Sequence, residues 1–145
     1  MTEEDLPFGM IVFEMMKHFL KVLKKEMNHI DGDSTIEQMG LLIAISTNKK
    51  CIIQQDMADL LGKDKSSILR TIDTLEKRSL LIRIKDPKDR RKNIINITDL
   101  GKQTLKQHFE MERILTKSML KGISEKELES FYYIIARIKR NAEKM

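Results

Sequence analysis

The sequence predicts a mainly α chain carrying one small β-hairpin, on three observations. Apolar residues recur with helical period along most of the 145 residues, the period drops to two over one stretch near residues 82–97, and short polar or glycine-containing breaks separate the segments. A chain of this length suits one compact domain with a real core. Its 41% hydrophobic and 34% charged residues form the composition of a folding chain.

The elements follow in order. Ile11, Val12, Met15, Met16, Phe19, Leu20, Leu23, Met27 and Ile30 make a helical stripe opposite Glu14, Lys17, Lys21, Lys24 and Lys25, which predicts a long amphipathic helix over 11–30. "DGDS" breaks it, and Ser34 with Glu37 has capping-box spacing in front of a second helix, "TIEQMGLLIAIST". The segment "QQDMADLLG" places Met57, Ala58, Leu60 and Leu61 on a short helix ending at Gly62, which suits a left-handed residue after a helix. Asp64 then caps "KSSILRTIDTLEKRS". Two short helices at a tight turn describe a helix-turn-helix, although spacing alone fits an unrelated helical hairpin equally well.

The faces of this fourth helix bear on that choice. Ile68, Ile72 and Leu75 make a buried stripe and leave Ser66, Arg70, Asp73 and Lys77 on the other side. Small hydroxyls and an arginine near a helix N-terminus suit entry into a DNA groove, where serine bonds phosphate or base and arginine forks onto a guanine edge. A plain solvated face is the alternative, and Asp73 favours it.

After Ser79, Ile82 and Ile84 alternate with Arg83 and Lys85, "DPKD" offers turn chemistry, and Ile95 and Ile97 alternate with Asn96, so the segment reads as a hairpin with a polar tip. The tip is strongly basic. Arg83, Lys85, Lys88, Arg90, Arg91 and Lys92 stand against Asp86 and Asp89, a local +4 beside a whole-chain net charge of +5. A hairpin directly after a helix-turn-helix is a winged helix, whose basic tip reaches backbone phosphates or a minor groove. Thr98 can cap a long helix over about 99–120 with Leu105, Phe109, Leu115 and Met119 among its apolar residues. Ser124 and Glu127 repeat the capping-box spacing before a last helix striped by Leu128, Phe131, Ile134, Ile135 and Ile138.

A small winged helix cannot cover all these stripes. The expected architecture is therefore a winged helix-turn-helix with long N- and C-terminal dimerisation helices in one domain over 1–145. Its DNA-binding lobe spans about 34–98, and its helical dimerisation lobe about 6–30 and 99–145, packed against a second copy across an isologous interface.

At these residues the chain resembles the MarR family of bacterial and archaeal transcriptional regulators, essentially over its whole length. "QQDMADLLGKDKSSILRTIDTLEKRSLL" resembles the family's helix-turn-helix, and "DRRKNIINITDLG" its wing signature, with Asp89, Arg91, Ile95, Ile97, Thr98 and Gly101 at the signature positions. The resemblance implies a homodimer on a pseudo-palindromic operator in double-stranded DNA, most often a repressor released by a small molecule or an oxidant. It places Lys65, Ser66, Ser67 and Arg70 at the start of the recognition helix and Asp89, Arg90 and Arg91 in the wing, with the wing arginine in the minor groove and the aspartate holding the loop. Three positions depart from the family: Ser79 stands where glycine is usual, Ile53 where a hydroxyl cap often opens the third helix, and Leu69 where many relatives have a small polar residue. A small lipophilic or phenolic effector is implied too, and Met15, Met16, Met39 and Met111 are the candidates for its pocket, since methionine suits an adaptable lining. Core packing is the ordinary role of each.

Other chemistry finds little support. No nucleophile elbow, phosphate-binding glycine loop or triad is present, so no enzyme and no cofactor are expected. His18, His29 and His108 form no i, i+4 pair, so no metal site is expected, and each reads as a surface or partly buried residue. The single cysteine, Cys51, beside Lys49 and Lys50, reads as structural rather than as a redox switch. No apolar run approaches the roughly 20 residues of a membrane span, and the acidic start lacks a signal peptide's pattern, so a cytoplasmic protein is expected. A second class of function stays open on the residues alone: a winged helix that binds a protein partner or RNA.

Overall fold

The computed structural model describes residues 6–30, 34–48, 52–53 and 57–145. In chain order the elements are α1 (Phe8–Ile30), α2 (Ile36–Thr47), β1 (Ile52–Ile53), α3 (Met57–Leu61), α4 (Lys65–Lys77), β2 (Leu81–Lys85), β3 (Asn93–Ile97), α5 (Asp99–Met119) and α6 (Glu125–Ala142). The expected winged helix-turn-helix is present, α3 and α4 forming the helix-turn-helix and β2 with β3 the wing. Its sheet has a further strand, because β1 pairs antiparallel with β3 through Ile52 opposite Ile95 and Ile53 opposite Ile94, giving the order β1-β3-β2. Ile53 thus belongs to a strand, and α3 opens at Met57. Cys51, with Lys49 and Lys50, lies outside the described residues.

Chain contacts divide the molecule into a unit of Met1–Glu112 and one of Arg113–Met145. The first holds a core built from Leu41, Leu42 and Ile45 of α2, Met57 and Ala58 of α3, the α4 stripe Ile68, Ile72 and Leu75, and Leu80, Leu81, Ile95 and Leu105. Met27 of α1 is buried with them and Leu23 packs against them. Burial of each leucine, isoleucine or methionine among them contributes roughly 1.5–3 kcal/mol. In the second unit α6 buries none of its residues, and Phe131, Tyr132, Tyr133, Ile134 and Ile135 are all at least two-fifths exposed.

Helix ends follow local chemistry. Asp64 caps α4 by accepting from the Ser67 N–H, and Ser124 with Glu127 forms a full capping box on α6, both as expected. The cap of α2 differs by one residue. Thr35, not Ser34, is the N-cap, and its box partner is Gln38, not Glu37. Ser34 is committed elsewhere: it is buried and its Oγ accepts from Arg78 Nη2 at 3.1 Å, while Arg78 Nη1 donates to Gln38 Oε1 at 2.9 Å. His108 is also more enclosed than expected, at 6% exposure on the core side of α5.

Both helices of the helix-turn-helix end in the same motif. After α3 the Lys63 N–H donates to the Ala58 carbonyl and the Gly62 N–H to that of Asp59, with Gly62 at φ +61°. After α4 the Leu80 N–H donates to the Leu75 carbonyl and the Ser79 N–H to that of Glu76. These are the paired bonds of a Schellman motif, which requires a left-handed residue at the second-to-last position. Ser79 fills that position at φ +57°, a conformation in which a side chain crowds the backbone.

Gly101 answers a different constraint. A Cβ there would meet the Leu80 carbonyl oxygen at 2.1 Å and Ile97 Cγ1 at 2.7 Å. Ser79→Gly is expected to raise stability by about 0.5–1 kcal/mol, whereas Gly101→Ala is expected to lower it by about 1–3 kcal/mol or more. Urea denaturation of both variants beside the wild type measures the pair; opposite signs are expected, and a neutral Gly101→Ala would show that the contact yields easily.

Candidate nucleic-acid interface

The exposed side of α4 carries Lys65, Ser66, Leu69, Arg70, Asp73, Thr74 and Lys77. Their common face follows from burial of Ile68, Ile72 and Leu75 on the other. Of the residues expected at the start of this helix, Lys65, Ser66 and Arg70 stand on it, while Ser67 is half-buried and turns to a hollow lined also by Ile36, Glu37, Leu41, Leu61 and Lys63. Ser66 donates its hydroxyl to Asp64 Oδ1 at 2.6 Å and so completes the cap. Leu69, 39% exposed, puts an apolar surface among these polar groups.

The wing tip is built by its own aspartates. Asp86 Oδ1 accepts from the Lys88 N–H at 2.7 Å and Asp89 Oδ1 from the Arg91 N–H at 3.1 Å, two successive turns in which a carboxylate bonds the backbone two residues on. The Lys92 N–H donates to the Asp89 carbonyl at 2.9 Å and the Asp86 N–H to the Lys92 carbonyl at 3.1 Å, closing the loop. Arg91 also donates from Nε to Asp89 Oδ1 at 3.2 Å, yet its side chain is 91% exposed, so its outer nitrogens face solvent from a fixed base. The side-chain bond from Arg91, and then its N–H, hold the Asp89 carboxyl below the usual aspartate range. Arg90 is exposed on the same turn.

Arg83 does not join this cluster. In β2 Leu81 is buried, Ile82 and Ile84 are 44% and 43% exposed, and the Arg83 side chain is 20% exposed, so the arginine and not the isoleucines shares the inward face with Leu81. There its guanidinium donates to Asp73 and Glu76 of α4, and its backbone N–H donates to Glu76 Oε1 at 3.1 Å. The sequence reading missed this contact. Its signal was present: two carboxylates three apart on one helix, and an arginine at the strand position that follows a buried leucine by two.

The methionine candidates are dispersed. Met39 is in the core at 6% exposure, Met111 packs against that core, and Met15 and Met16 are 48% and 44% exposed on α1. Among the described residues no group of three or more His, Cys, Asp or Glu side chains could hold a metal ion, and no helix is long and apolar enough to cross a membrane.

The MarR family model matches residues 35–92, which take in α2, the helix-turn-helix, β2 and the wing tip. Over that segment the chain is similar to the MarR family. Wild-type Escherichia coli MarR in its apo form matches with a TM-score of 0.80 at 19% identity, covering 92% of this chain and 96% of that one. A variant of E. coli MarR complexed with operator DNA matches at 0.76 and 20% identity, covering 93% and 95%. Bordetella bronchiseptica BpsR, described by the regulation of its DNA binding by 6-hydroxynicotinic acid, matches at 0.76 and 19% identity, covering 96% of each chain. The shared fold extends on both sides of the matched MarR segment.

The Asp64 cap makes the start of α4 sensitive to acid. The Ser66 hydroxyl and then the Ser67 N–H hold its carboxyl below the ordinary value of 3.8. A depressed folded-state pKa contributes stability that is fully present above the unfolded aspartate pKa and lost as pH falls through the folded value. Asp64→Asn keeps an acceptor without the titration, so it is expected to lessen the fall in Tm between pH 7 and pH 3. Asp64→Ala is expected to lower Tm already at pH 7, and thermal melts at both pH values check the two.

Proposed function

We propose that the protein is a sequence-specific DNA-binding transcriptional regulator, a homodimer that represses from a pseudo-palindromic operator until a small lipophilic or phenolic effector releases it. The observation that carries the reading is the wing: an arginine almost wholly exposed, its base fixed by Asp89, beside the exposed polar face of α4. A flexible cation suits general charge neutralisation, whereas a guanidinium on a rigid turn suits a groove of defined shape. The operator complex of E. coli MarR supports DNA as the partner. BpsR with 6-hydroxynicotinic acid, and Streptomyces coelicolor PcaV with its natural ligand, support control by a small molecule.

In this reading each protomer sets Lys65, Ser66 and Arg70 against a major groove while Arg90 and Arg91 reach the flanking minor groove. Ser67, half-buried, is nearer to a phosphate-facing or packing role than to base readout. Leu69 offers apolar contact to a thymine methyl beside the base that Arg70 forks onto. Uncovered apolar side chains on α6 and on the N-terminal half of α1, Phe8, Ile11 and Phe13 among them, support a second copy as their cover. Met15, Met16 and Met111 are the more accessible candidates for the effector pocket, and Met39 is given to packing.

The test is fluorescence anisotropy against the duplex upstream of the protein's own gene, beside a scrambled duplex, at two salt concentrations. Preference that persists at the higher salt is expected. Arg91→Ala is expected to weaken binding and to reduce the salt slope by about one unit. Arg70→Ala is expected to relax base choice at one operator position and to cost on the order of 1–3 kcal/mol. Unchanged affinity in both variants would overturn this docking.

A further inference from the structure

Asp73 lies where a DNA-binding helix should not want it. It is on the exposed side of α4 with Ser66, Arg70 and Lys77, its side chain is 55% exposed, and a carboxylate so placed repels phosphate. Arg83 meets it from β2. One guanidinium nitrogen, Nη2, donates to Asp73 Oδ1 and the other, Nη1, to Glu76 Oε2. Glu76 in turn accepts the backbone N–H of Arg83 through Oε1, so strand β2 is held by main chain and side chain at once. Planar fork geometry permits this double engagement, which an ammonium cannot match. Partial burial disfavours the charged guanidinium, but the two carboxylates outweigh it and its pKa stands above the usual arginine value.

We infer that Arg83 is a positioning residue that docks the wing onto the recognition helix through Glu76 and neutralises Asp73, so that a phosphate approaching that part of the helix face meets no uncompensated carboxylate. The inference rests on the DNA-binding reading above and deepens it. Of the basic residues between Arg83 and Lys92, Arg83 is then the one directed inward. It acts on DNA through Asp73 and Glu76 and not by contact.

The experiment has an arm without DNA and an arm with it. Without DNA, urea denaturation of Arg83→Gln, Glu76→Gln and the double variant forms a cycle; coupling between the two positions is expected, and additivity would overturn the docking role. With DNA, wild-type preference for the upstream duplex over the scrambled one tests the functional reading by itself, and its absence would overturn that reading and the neutralising role with it. Given that preference, Arg83→Gln is expected to lower operator affinity on the order of tenfold. Adding Asp73→Asn is expected to bring it back to within about threefold of wild type. A merely structural arginine, or one touching phosphate itself, would leave the double variant as weak as Arg83→Gln, and that result would overturn neutralisation. Should Arg83→Gln fail to fold, Asp73→Asn alone decides: unchanged or raised affinity supports the inference, and lowered affinity would mean that Asp73 contacts the DNA and would overturn it.

Discussion

The carbonyl of Leu80 is the point on which the domain turns. It accepts the Thr98 N–H at 3.1 Å, while the neighbouring Ser79 carbonyl accepts the Thr98 hydroxyl at 2.7 Å and the Gly101 backbone presses against Leu80 itself. Three elements meet there: the end of α4, the start of β2 and the first turn of α5. The Thr98 hydroxyl oxygen also accepts the Gly101 N–H at 3.0 Å, so one side chain caps α5 and ties it to the turn after α4. A larger residue at 101 would part helix from turn, and a residue unable to hold φ near +57° at 79 would misdirect β2. The threonine and glycine that end the wing signature thus have one geometric cause, close approach of two backbones.

Charge in the wing is sorted by the same frame. Aspartates inside a basic loop look like wasted neutralisation when only the sum is read. Asp86 and Asp89 in fact shape the loop, since each bonds a backbone N–H two residues on. Arg91 is aimed outward from that turn and Arg83 inward to α4. Neither direction follows from net charge, because the distribution of partners decides which cation remains available to an external anion.

Much of this was legible in the sequence because it depends on local chemistry. The α4 stripe, the Asp64 cap, the Ser124 and Glu127 box and the left-handed Gly62 all involve residues within a turn or two of one another, and all stand where expected. What the sequence hid depends on distant partners. Ser34 and Thr35 are both good caps by composition, and Ser34 is engaged instead by Arg78, more than forty positions away. In β2 the alternation was readable but its facing was not: isoleucines suggest the inward side, and the carboxylates of Asp73 and Glu76 draw Arg83 there instead. Strand β1 carries too few residues for any period to show. Among the candidate residues, Met39 is in the core and Ser67 stands half-buried beside a hollow for the same reason, since a helical face is readable but its neighbours are not.

These connections also constrain how an effector would act under the proposed function. Helix α4 and the wing are joined at Leu80, at Glu76 and through the core, so these contacts hold the two together. A ligand shifts an equilibrium only between arrangements that it binds unequally. Two recognition helices reading successive major grooves need a spacing near one helical turn of DNA, roughly 34–36 Å. The arrangements that differ at low cost are therefore those that change the distance or angle between the lobes of two protomers while each lobe moves as a body. Under the proposed function the regulatory variable then falls to the contact that a second copy would make on the uncovered faces of α1 and α6, with the proposed recognition surface the same in both states.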